Sequence, residues 1–333
     1  MSDRFRVRVG VAVAGVWSLL VPVTQPFHAA LEGQNDPKFP LEDARQGLDL
    51  LMEGDPDAAI AAFRKIQERD AESPAGYLLE ADAFWWKIYL ATADLIDPEV
   101  LDVASSGRTP YDSRFEELVN LTLGKSAACL RANQDAAGCY LHQSLAYGLK
   151  ARLDGLRGKD LATARAAVRM RNFSLSALRS DPNLTDALLG AGIYNYFEDT
   201  LPTVVKILRF LIALPGGDRE RGLEQLQQVA RKGVLARDDA RFLLAKNYSR
   251  GNEKQYTKSL ELFEQLARDY PQNPLWPLLA GSLQCRLGHA DACEAAYGQV
   301  FKRTASEKSE ARQAVHRAAR KALEHLHPQE KFE

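Results

Sequence analysis

GLDLLMEGDPDAAIAAF, residues 47–63, and GSLQCRLGHADACEAAY, residues 281–297, carry one spacing near opposite ends of a 333-residue chain. Gly47, Gly54, Ala59 and Phe63 follow one another at steps of seven, five and four. Gly281, Gly288, Cys293 and Tyr297 repeat those steps with the same kinds of residue. A small residue in one helix, a glycine at a turn, then a small residue and an aromatic in the next helix describe a helical hairpin. The small residues let the two helices approach closely and the aromatic fills the gap beside them. Such hairpins stack, because none buries its apolar face alone.

Helical stripes extend from both hairpins. Leu48, Leu51 and Met52 form the first, Gly54-Asp55-Pro56 a turn, and Ile60, Phe63 and Ile66 the second. Further helices are expected at about 77–93, 113–131, 136–156, 160–179, 185–197, 219–232, 238–250, 255–269, 274–287 and 290–303. A last amphipathic helix, about 307–326, carries Ala311, Val315, Ala318, Ala322 and Leu326 on one face. Asp97-Pro98, Ser105-Ser106-Gly107 and Pro110 interrupt the pattern at about 94–112, and a second interruption falls at about 198–217. No segment alternates with a two-residue period, so strands are not expected. The expected fold is all-α: one α-solenoid domain over 31–333, with two irregular insertions and a C-terminal capping helix.

Arg4, Arg6 and Arg8 precede an apolar run from Val9 to Val23, and Ala29 and Ala30 follow it. That order reads as a signal peptide over residues 1–30 and an exported, periplasmic or cell-envelope protein. The run is short and interrupted for a membrane span. Four cysteines fit export: Cys129 with Cys139 and Cys285 with Cys293, each pair straddling an expected turn, read as two disulfides. Four buried free thiols are the alternative. Net charge is −1 with 46% hydrophobic and 26% charged residues, which gives no global argument for nucleic acid or an anionic membrane.

Candidate sites are few. Gly216-Gly217 before a helix could cradle a phosphate, but the lysine of a P-loop is missing, and Asp218 reads as an N-cap. Arg219 and Arg221 beside it read as solvated first-turn charges. His316, His325 and His327 do not share a face with a carboxylate ligand set, and His142 and His289 are isolated, so no metal, cofactor or catalytic residue is expected. Residues 150–179 are basic, through Lys150, Arg152, Arg157, Lys159, Arg165, Arg169, Arg171 and Arg179, and read either as a solvated surface or as a contact for acidic partners or lipid headgroups. Phe84, Trp85, Trp86 and Tyr89, with Tyr194, Tyr196 and Phe197, read either as packing or as a binding groove.

These residues resemble the tetratricopeptide-repeat family. Leu244-Ala245 with Tyr248, Ser259 with Phe263, and Pro271 follow its pattern, as do Gly47 with Ala59 and Phe63, and Gly281 with Cys293 and Tyr297. Ala177 with Pro182, and Leu188 with Gly192, match the end of one unit and the start of the next. The block from Gly192 to Leu226 is similar to a group of exported bacterial repeat proteins without an assigned activity, and more distantly to the eukaryotic repeat family that includes inclusion-body clearance proteins. The resemblance implies an inner wall built from the first helix of each repeat, which would turn Asp186, Tyr196, Asp239 and Lys246 toward a groove; Trp85 and Trp86 join them as candidate partner-binding residues. The basic-and-asparagine clamp of chaperone-binding members is not recognisable.

The expected function is a non-enzymatic scaffold or adaptor that binds a protein or peptide. The alternative is a membrane-associated assembly or trafficking factor that docks through the apolar stretch 201–214, which carries only Lys206 and Arg209 as charges. A third class, a small-molecule-binding protein or enzyme, would need a convergent polar pocket.

Overall fold

The computed structural model describes residues 41–98, 107–132, 135–200 and 215–329. The segment 1–30 and the stretch 201–214, with Leu208 and Leu211, lie outside the described residues, as does the middle of the first insertion. Thirteen α-helices and no strand occur among the described residues. They are α1 (Leu41–Met52), α2 (Pro56–Arg69), α3 (Ala75–Thr92), α4 (Asp112–Arg131), α5 (Ala136–Leu156), α6 (Asp160–Ser180), α7 (Leu188–Thr200), α8 (Arg219–Lys232), α9 (Arg237–Ser249), α10 (Tyr256–Asp269), α11 (Leu275–Arg286), α12 (Ala290–Thr304) and α13 (Glu310–Leu326). Consecutive helices pack on one another, which makes an all-α solenoid of helical hairpins. The start of the sequence-expected helix at 185–197 is a single 3₁₀ turn, Thr185–Ala187, before α7.

The recurrent spacing has a direct physical cause. The ring of Phe63 occupies the space where a Cβ on Gly47 would stand, and at the other end Ala296 and Tyr297 crowd Gly281 in the same way. Gly54 and Gly288 both turn the chain at φ 81°, a left-handed conformation that a side chain would strain. Asp218 caps its helix as the sequence suggests, accepting from the Arg221 N–H, and Asp55 and Asp135 cap theirs in the same way, from Ala58 and Gly138. Both cysteine pairs lie at disulfide distance, with Cα–Cα separations of 6.2 Å for Cys129–Cys139 and 5.1 Å for Cys285–Cys293. The first closes the α4–α5 turn and the second the α11–α12 turn.

What local pattern does not foretell is closure. The first hairpins meet the last ones, so the inner wall folds onto itself. Trp86 of α3 packs against Phe242 of α9 at 5.0 Å between ring centres and edge-on to Trp276 of α11 at 5.8 Å. Trp276 and Asn273 both donate to the Met52 carbonyl at the end of α1, at 3.0 and 2.8 Å. The loop after α3 is gripped from the far side of the chain. Lys246 donates to the Asp97 carbonyl at 3.1 Å, Ser249 to the Pro98 carbonyl at 2.6 Å, and Arg286 pairs with the Asp97 carboxylate at 2.9 Å. The cap α13 joins the same seam through Lys321–Asp94 and through Glu310, which accepts from the Tyr111 hydroxyl. One apolar cluster therefore runs from Ala44 to Leu323.

Candidate functional site

Packing between hairpins, at the seam and along the array, decides where the sequence-selected residues end up. Lys246 and Tyr196 are fully buried, Asp186 is 1% exposed, and Trp85 and Trp86 are buried too. Asp186 accepts from the N–H groups of Val234, Leu235 and Ala236 at 2.9, 3.0 and 3.2 Å, so it holds the turn that starts α9. Lys246 also lies over the rings of Tyr89 and Phe242, each at 5.7 Å. Trp85 packs on Phe115 at 6.4 Å, and Tyr196 sits edge-on to Phe197. The contacts of these five are with the chain itself, where the hairpins of the array meet. Asp239 differs: it lines a cavity.

That cavity, about 60 Å³, lies between α1, α3, α5, α6, α7 and α9. Its wall is largely aliphatic, through Leu48, Leu79, Leu145, Leu149, Met170 and Ile193. Four ionisable groups line it: Asp82 on α3, His142 and Arg152 on α5, and Asp239 on α9. Arg152 comes to 3.9 Å of Asp82 Oδ1, an ion-pair distance and too long for a hydrogen bond. Its guanidinium lies over the Trp85 ring at 5.8 Å. Asp82 Oδ1 and His142 Nδ1 are buried and make no hydrogen bond.

The electrostatics follow from that placement. Burial, and then the charge of Asp239, push the Asp82 carboxyl well above the usual carboxylate range, with Arg152 pulling the other way. Burial raises Asp239 as well, against the pull of Arg152. Burial lowers His142 to about 4, despite the nearby Asp135 and the Gly138 backbone, so its ring is neutral at pH 7. His142 and Asp239 are half-buried, and both line the cavity.

Glu80, one turn before Phe84 on α3, shows the contrasting outcome. It is fully buried, yet Arg64, Gln67 and Arg114 all reach its carboxylate, at 2.6 to 3.3 Å. Sequence reasoning passes over Asp82 and takes Arg152 only as part of a basic stretch. The signal present is two acids, Glu80 and Asp82, inside an otherwise apolar helix, where each must find a partner or carry a penalty.

The other sequence candidates resolve differently. The amides at the start of α8 are occupied by the chain's own acids: Gly217 N–H donates to Glu198, and Arg219 N–H to Asp199 at 3.1 Å. No phosphate is needed to satisfy them. His316 bonds Thr304 Oγ1 and stacks on Phe301, and His327 pairs with Glu294. No group of three His, Cys, Asp or Glu side chains converges as a metal site would among the described residues. The basic stretch divides in two. Arg152 and Arg157 pair with Asp82 and Asp112 inside the array, and Lys150 and Lys159 reach Asp154 from the surface. Arg165 and Arg169 stay exposed on α6. Beside them Tyr140, Phe173 and Tyr147 form a half-buried stack, with ring centres 6.2 and 5.6 Å apart, and Arg169 lies over Tyr147.

Residues 239–273, which are most of α9, all of α10 and the turn after them, match the tetratricopeptide repeat family. The match supports a tetratricopeptide-repeat protein, in agreement with the hairpin geometry at both ends. No curated protein matches the chain. Among the described residues no helix is long and apolar enough to cross a membrane.

Proposed function

We propose that the protein is an exported, non-enzymatic scaffold of the cell envelope that binds an acidic protein or peptide on its α5–α6 face. Repeats of this family generally mediate contacts between proteins, and that is the coarse frame. The observation that carries the finer reading is the aromatic stack with its arginines. Tyr and Arg side chains supply large contact area and are over-represented among the residues that dominate protein interfaces. Arg165 and Arg169, both exposed and both on α6, give the face a positive edge that an acidic partner complements. Export is supported by the basic start and apolar run of the sequence and by two disulfide-distance pairs, which suit an oxidising compartment.

A photoreactive side chain at position 165 tests the face in native cells. One acidic partner should be captured there, and not from position 295 on α12, and Arg169→Glu should abolish its capture. Undiminished capture in that variant would refute the α5–α6 assignment. Export is tested separately by mass spectrometry of the mature N-terminus, expected near residues 29–33. Intact Met1 in a soluble cytoplasmic fraction would overturn it.

A further inference from the structure

We propose that the cavity between α3, α5 and α9 binds an alkylammonium group, its nitrogen held by Asp82 and Asp239 and its alkyl stem lying along the aliphatic wall. This goes beyond the scaffold reading and depends on neither the α5–α6 face nor export. Asp82 is only 8% exposed, lines the cavity, and has an Oδ1 that accepts no hydrogen bond. A buried carboxylate short of donors is a costly arrangement, and here a second carboxylate, Asp239, lines the same small space. Arg152 is the cation acting on both: it stands 3.9 Å from Asp82 with its plane over Trp85, and it acts on Asp239 only through its charge. Two acids against one loosely placed guanidinium leave room for one more positive charge.

The chemistry of that charge is constrained. A metal ion would need three or more converging ligands, which the described residues do not provide. An ammonium group needs no third protein ligand: it can bridge Asp82 and Asp239 and leave its remaining N–H donor to water. Size points the same way. A cavity of about 60 Å³ admits a few heavy atoms, so the group it takes is small. Leu79, Leu145, Leu149 and Ile193 offer the stem an apolar wall that a hydrated inorganic cation would not use. The raised carboxyls fit as well: an arriving ammonium takes the place of a proton held in their neighbourhood.

The test is calorimetric titration of the full chain at about pH 8 with n-butylamine and with n-butanol, which has the same stem without the charge. Saturable binding of the amine, at least tenfold tighter than the alcohol, is expected. Asp82→Asn and Asp239→Asn should each weaken the amine at least tenfold and leave the alcohol unchanged. The wild-type comparison needs no variant, so a variant that fails to fold does not rescue the idea. Absence of saturable amine binding, or equal binding of n-butanol, would overturn it. Nα-acetyl-lysine methylamide distinguishes the sources: binding as tight as n-butylamine identifies a protein-borne lysine, and binding of the free amine alone identifies a small metabolite.

Discussion

Along one stripe of α3, Asp82 and Trp86 stand a single helical turn apart, and along α9 so do Asp239 and Phe242. The two turns meet opposite environments. Trp86 and Phe242 join Trp276 and Tyr89 in a packed aromatic seam, whose edge-on rings and donated hydrogen bonds close the array. Asp82 and Asp239 line a cavity, where Arg152 reaches only Asp82 and a carboxylate oxygen is left without a donor. The same pair of helices thus devotes one turn to stability and the next to something else. Closure is over-determined at the seam, so the neighbouring turn is free to hold groups that destabilise the fold.

The largest effect that would break this contrast lies at the seam. Trp276→Ala should cost about 3–5 kcal/mol in chemical denaturation, because the ring is fully buried and its N–H satisfies the Met52 carbonyl. A loss under about 1 kcal/mol would mean that the seam does not carry closure. Removing the Cys129–Cys139 link, as Cys129→Ser with Cys139→Ser, should cost on the order of 3 kcal/mol, since it closes a short loop at the head of α5. That helix carries His142 and Arg152, so the cavity wall loosens before the aromatic seam does. Hydrogen exchange should show α5 losing protection while α11 keeps it.

Ser249→Ala removes one hydrogen bond to the Pro98 carbonyl and should cost about 1 kcal/mol in the same unfolding assay. The smallest expected effect has the opposite sign. Asp82 has its carboxyl raised in the fold, so its favourable contribution is complete below the unfolded value, about 4, and is lost as pH rises through the folded one. Asp82→Asn should therefore match the wild type near pH 4 and melt higher than it near pH 8. A lower melting temperature for the variant at pH 8 would show that Arg152 alone compensates the ionised carboxylate and that the cavity is not short of donors.

Most of the helices were legible because their signals are local. Asp55-Pro56 and Asp218 mark helix starts within a turn of the residues they cap, and Gly47 with Phe63 announces its own contact from sixteen positions away. The seam was not legible. Trp86 and Phe242, or Lys246 and the Asp97 carbonyl, are about 150 residues apart, and nothing in either neighbourhood names the other. That gap explains the fate of the candidate residues. Repeat register implies an open groove beside Asp186, Tyr196 and Lys246, but the returning loop at Asp97 covers Lys246, and neighbouring hairpins cover Asp186 at the 234–236 turn and Tyr196 at Asn247. The cavity was half visible. Asp239 stands out by its register, whereas Asp82 is one acid among 44 Asp and Glu residues, marked only by its apolar surroundings in α3.

Closure also changes the kind of cooperativity this repeat array has. An open stack behaves as a one-dimensional chain of units, each stabilised by its nearest neighbours, and its ends fray first. Bonds from Met52 to Trp276 and from Pro98 to Ser249 turn that chain into a ring, in which the terminal repeats are neighbours. A ring has no free end from which to unzip. Shortening the chain from its C-terminus should then fail abruptly rather than repeat by repeat: loss of α11 removes the far wall of the first hairpin, and the two ends of the sequence unfold together.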